Sequence, residues 1–202
     1  MINMPSWQGY RTQVRNVLAS YVEKPTARLL EKVGLSPNKV TVIGLLLGGA
    51  TAYLLGTGLF VEGGILLLLA SALDMADGAL ARLHGRASAA GALLDSTADR
   101  LSEAVVFLGL LVFYISPLST PEVLLIHLAL TGSFMVSYLR ARGESLGVDC
   151  KVGVMTRPER VIVLAVGLLI GQVAIALGII ATLSFLTAIH RFWHIQKELS
   201  RI

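Results

Sequence analysis

Four aspartates, Asp74, Asp77, Asp95 and Asp99, interrupt two long apolar stretches, and their spacing is the first sign of chemistry. Asp74 and Asp77 stand at i and i+3, Asp95 and Asp99 at i and i+4, so on helices each pair shares one face. A carboxylate at the centre of a membrane helix costs about 2.5–3.5 kcal/mol on insertion scales, so four of them need a compensating partner. At about 1.5 Å per residue, Asp74 and Asp77 lie roughly 9–14 Å from Leu83, and Asp95 and Asp99 about 6–12 Å from Gly91. Antiparallel helices would therefore bring all four to one level. Only Arg82 and Arg100 are near in sequence, and two guanidinium groups cannot neutralise four carboxylates. The constellation calls for a divalent cation. Ligand sets made only of oxygen select hard ions, Mg²⁺ or Mn²⁺, over zinc.

The elements that must position these residues are membrane helices. The chain has 202 residues, 54% hydrophobic and 15% charged, with a mean hydropathy of +0.72. Soluble domains rarely run so apolar, and here the apolar residues come in blocks. We expect an all-α integral membrane protein with six transmembrane helices: Lys39 to Leu59, Val61 to Leu83, Gly91 to Ile115, Pro121 to Arg142, Pro158 to Gly171 and Gln172 to Trp193. Three short connections, Phe60 to Glu62, Ser116 to Glu122 and the Gly171–Gln172 junction, carry no Lys or Arg, and all 17 basic residues fall on the other side. Basic loops face the cytoplasm, so both termini and the carboxylate site should be cytoplasmic in the cell membrane. Residues 1–38 form a juxtamembrane segment ahead of a membrane domain at 39–202.

In that segment Trp7, Tyr10, Val14, Val17, Leu18 and Tyr21 recur at helical spacing between Arg11, Arg15 and Lys24, as in an amphipathic helix lying in the headgroup layer. The segment lacks the apolar core of a cleavable signal. Gly44 and Gly48 form a GxxxG that permits close helix contact, within the chain or in a homodimer. Cys150, the single cysteine, excludes an internal disulfide and reads as an inert thiol. His190 and His194 have zinc-compatible spacing but no third ligand, so interfacial packing is expected of them. No nucleic-acid partner is expected.

The run from Asp74 through Asp77, Gly78, Ala81 and Arg82, then Gly91, Asp95 and Asp99, fits D-x2-D-G-x2-A-R-x8-G-x3-D-x3-D at every fixed position. That pattern resembles the signature of the CDP-alcohol phosphotransferase family, and Leu35 to Thr41 is similar to the family's approach to its first span. The resemblance implies transfer of a phosphatidyl-type group from a CDP-linked lipid to an alcohol, by a homodimer. It implies that Asp74, Asp77, Asp95 and Asp99 hold two metal ions, Mg²⁺ or Mn²⁺, against the diphosphate, with Asp99 also the general base. Thr41, Gly78, Ala81, Arg82, Ser88 and Gly91 would line the CDP-lipid site, the glycines admitting the nucleotide close to the helix backbone.

A second cluster bears on the acceptor. Ser137-Tyr138-Leu139-Arg140-Ala141-Arg142 precedes Arg157-Pro158-Glu159-Arg160, where proline followed by glutamate marks a helix start. Arg157 and Arg160 at that helix N-terminus, with Arg140 across the loop, suit a phosphate carried by the acceptor alcohol. Both segments resemble those of phosphatidylinositol phosphate synthases, which use inositol 1-phosphate and carry Lys where this chain has Arg140. An archaeal, ether-lipid donor fits the same pattern. Glycerol 3-phosphate is the alternative acceptor, since it too needs a cationic pocket. A divalent-metal transporter is a more distant alternative, because such sites usually lie near midplane with broken helices or internal repeats.

Overall fold

The structure, a computed structural model, describes residues 36–83, 88–116 and 119–201 together with Thr26, apart from the side chains of Pro37 and of residues 76–83. The amphipathic helix expected before Ser36 lies outside the described residues. The expected spans appear in order as six α-helices. They are α1 (Pro37–Gly56), α2 (Phe60–Leu83), α3 (Ala89–Ile115), α4 (Thr120–Ser145), α5 (Arg157–Leu169) and α6 (Val173–Leu199). No strand occurs among the described residues. Asn38–Gly56, Thr120–Ser145 and Val173–Leu199 are each long and apolar enough to cross a membrane, with mean hydropathies of 1.5, 1.5 and 2.1. The protein is an all-α integral membrane protein.

Local chemistry sets the helix starts. Pro121 and Pro158 occupy first turns, where the missing N–H costs no intrahelical bond. Thr156 and Glu159 form a capping box on α5, the Thr156 N–H donating to Glu159 Oε2 at 3.0 Å. Helix α6 runs past the expected end at Trp193 to Leu199, because its last turns are packed: Ile195 is buried against Val148 and Cys150.

Two compact units divide the chain, and the larger comprises Leu47–Leu68 with Arg100–Ile202. Its core joins Leu55 of α1, Leu110 of α3, Ile126 of α4, Leu168 of α5 and Leu177 of α6, all buried. Lipid tails are as apolar as these side chains, so cohesion here comes from close packing, not from expulsion of water. A Cβ on Gly109 would lie 2.3 Å from Ala52 O and 2.6 Å from Ala52 Cα, so α1 and α3 touch backbone to backbone. Gly48 faces Ser102 in the same seam, where a Cβ would come within 3.3 Å of its hydroxyl. Gly48 thus makes its close helix contact within the chain.

This seam predicts a sharp contrast. Gly109→Ala forces backbone apart and should destabilise the protein by about 1–3 kcal/mol or more. Gly49→Ala meets nothing within 4 Å and should be neutral or slightly stabilising. Thermal unfolding in detergent compares the two, and equal midpoints would refute the close contact.

Candidate active site

Asp74 on α2 and Asp95 and Asp99 on α3 converge, each half-buried, and all belong to the smaller unit, which includes Leu69–Asp99. One carboxylate oxygen from each lies within 4.8 Å of the other two. Two oxygens on one Mg²⁺ at about 2.1 Å are roughly 3.0–4.2 Å apart, so small side-chain movements would close this trio on a hard cation. The donors are all oxygen and all anionic, and the set fits Mg²⁺ or Mn²⁺. Asp99 Oδ1 is shielded from solvent, as a ligand or base inside a reaction site would be. The side chains of Asp77, Gly78, Ala81 and Arg82 lie outside the described residues.

The start of α3 is built around Ser88. Its hydroxyl accepts the Gly91 N–H at 3.0 Å and its carbonyl accepts the Ala92 N–H at 3.0 Å, a helix N-cap that fixes where Asp95 and Asp99 emerge. A Cβ on Gly91 would press within 3.2 Å of the Ser88 hydroxyl and 4.0 Å of Asn38 Oδ1, so glycine keeps this corner open. Thr41 is buried on α1. Ser96 and Thr97 donate to Leu93 O at 3.0 and 2.8 Å, back-bonding along their own helix.

The arginines of the larger unit separate into two kinds. Arg140 is exposed and pairs with Glu144 at 2.9 Å, a surface contact of little energetic consequence. Arg157 is half-buried at the start of α5. Arg160 is only 3% exposed and grips Glu103, Nε to Oε1 at 2.6 Å and Nη2 to Oε2 at 2.9 Å. Arg191, also buried, donates to Val136 O at 2.6 Å and Val152 O at 3.0 Å. Among the described residues, Arg160 and Arg191 thus point into the protein and not towards headgroups.

The segment between α4 and α5 is bolted down by these contacts. Thr187 accepts the Met155 N–H at 3.1 Å, and His194 bonds Asp149 O at 3.2 Å, which gives one of the two expected interfacial histidines a packing role. Cys150 is buried in this segment, and burial pushes its thiol up against the opposing pull of Arg191 and Arg140. Sequence spacing gives no signal for the Glu103–Arg160 and Arg191–Val136 contacts, which join residues 57 and 55 positions apart.

An all-helical membrane protein with a carboxylate trio that fits a hard cation has the makings of a membrane-embedded metal site. The family model of CDP-alcohol phosphatidyltransferases matches residues 34–193, and the chain belongs to that family. It is 33% identical over 193 residues to an archaetidylinositol phosphate synthase of Methanothermobacter thermautotrophicus, covering 93% of this chain and 94% of the relative. The crystal structure of Mycobacterium tuberculosis phosphatidylinositol phosphate synthase with CDP-DAG bound has a TM-score of 0.78 and 32% identity, covering 86% of this chain and 93% of that one. The same enzyme with manganese and citrate also gives 0.78 and 32%, covering 87% and 89%. The reaction class is thus transfer of a phosphatidyl-type group from a CDP-linked lipid to an alcohol, a divalent-metal-dependent step of phospholipid biosynthesis.

Proposed function

We propose that this chain makes an inositol phosphate phospholipid, using inositol 1-phosphate as acceptor and CDP-diacylglycerol or its archaeal ether analogue as donor. The observation that carries the acceptor is the pair of guanidinium groups at the start of α5, where Arg157 and Arg160 lie within one turn, with Arg140 near the end of α4. The named functions of the relatives support it. Asp74, Asp77, Asp95 and Asp99 would hold two Mg²⁺ or Mn²⁺ ions. Such ions, when bound, polarise phosphoryl oxygens and stabilise the departing CMP.

Asp99 accepts the proton of the acceptor hydroxyl. The hydroxyl oxygen then bonds to the lipid-side phosphorus, the bond from that phosphorus to the CMP oxygen breaks, and CMP leaves with the electron pair. Thr41, Gly78, Ala81, Arg82, Ser88 and Gly91 line the CDP-lipid site in this reading. The protein works as a homodimer in this reading, and the distribution of basic residues supports both termini and the site on the cytoplasmic face.

Purified protein in nanodiscs, assayed for CMP release, tests the proposal. With CDP-diacylglycerol and Mg²⁺ or Mn²⁺, inositol 1-phosphate should exceed inositol, serine and glycerol 3-phosphate by about tenfold or more in kcat/KM, and EDTA should stop the reaction. A better rate with glycerol 3-phosphate would move the chain to a phosphatidylglycerol phosphate activity. A better rate with inositol or serine would remove the phosphate site.

A further inference from the structure

We propose that Glu103 is a positioning residue for the acceptor, holding the Arg160 guanidinium by one edge so that its remaining N–H groups face the acceptor's phosphate. The proposal rests on the phosphorylated-acceptor reading above. Glu103 and Arg160 are 11% and 3% exposed, and the carboxylate meets the guanidinium side-on, through Nε and Nη2. A guanidinium carries five N–H donors. Two are taken by Glu103, and Nη1 makes only a long contact, 3.5 Å, to Met155 O. The pair therefore fixes the plane of the group and leaves donor capacity on the side away from Glu103.

Stability alone does not account for it. A buried ion pair replaced by well-packed apolar residues often leaves a protein as stable or more so, because desolvation offsets the attraction. The same turn of α5 gives a second reason. Glu159 already accepts the Thr156 N–H at 3.0 Å and places a negative charge at the helix N-terminus. An incoming phosphate must therefore be gripped by guanidinium groups more than by helix amides, and the aim of those groups matters. Planar recognition of phosphate depends on orientation as well as charge.

The test uses the full-length protein in nanodiscs. Glu103→Gln should raise the KM for inositol 1-phosphate about tenfold, with kcat and the KM for CDP-diacylglycerol within about twofold of wild type. Inorganic phosphate, competing with the acceptor, should weaken as an inhibitor in parallel. Glu103→Asp keeps the charge on a shorter arm and should recover part of the loss. It also supplies a folded variant if Glu103→Gln does not accumulate. A purely structural pair would lower the unfolding temperature and the active fraction, hence kcat, with both KM values unchanged, and that result overturns the proposal. If wild type shows no preference for the phosphorylated acceptor, the underlying reading falls and this proposal with it. If that preference holds and Arg157→Gln weakens it while Glu103→Gln does not, the Glu103 role alone is refuted.

Discussion

Asp99→Asn should reduce CMP release by about 10³-fold or more while the protein stays folded. The amide cannot take the hydroxyl proton, and it brings no negative charge to a cation. Both losses fall on one residue, so the effect should exceed that at a carboxylate with a single role. Folding should not suffer. Carboxylate oxygens of Asp74, Asp95 and Asp99 lie within 4.8 Å of one another, and without a cation these charges repel. Removing one relieves that repulsion, so in EDTA the variant should melt no lower than wild type. Added Mn²⁺ should then raise the melting temperature of wild type more than that of the variant, because the stabilisation follows metal affinity. Activity within about tenfold of wild type would exclude Asp99 as the base.

The carboxylate site was legible because it is written in local spacing. Asp95 and Asp99 share a face of α3 whatever surrounds them, and the expense of charge in lipid makes their presence informative. The start of α5 was legible for the same reason, since Pro158 followed by Glu159 marks a first helical turn. Features decided by distant partners were not. The sequence sets Arg160 at a helix start and Arg191 near the end of the last span, but spacing does not show that one meets Glu103 and the other the carbonyls of Val136 and Val152. Gly48 reads as a free packing motif until Ser102 is seen against it. Ser88, expected at the nucleotide, also serves as the cap of α3, a role that its position just before a helix could have suggested.

Arg157→Gln should raise the KM for inositol 1-phosphate about ten- to a hundredfold, with the KM for the CDP-linked lipid within about twofold, since one charged hydrogen-bonding group contributes roughly 1.5–3 kcal/mol. Arg157 probes the acceptor's phosphate while leaving the Arg160–Glu103 pair whole. Removing Arg160 would also strand the buried Glu103 carboxylate, and breaking a buried pair costs about 3–5 kcal/mol of stability, so affinity and folding would change together. Arg140 is the weaker probe, because it is half-exposed and already engaged by Glu144. Arg157→Lys should restore part of the affinity, since the charge returns without the planar fork that binds two phosphate oxygens. The acceptor comparison sharpens the test. In wild type, inositol 1-phosphate should be favoured over inositol by at least the loss in Arg157→Gln, because removing the phosphate deletes every guanidinium contact and removing Arg157 deletes one. In the variant that preference should shrink by about the same factor, while the rate with inositol barely moves. A variant that loses activity equally with both acceptors would show that Arg157 serves the fold or the donor, and the phosphate would then have to be held elsewhere.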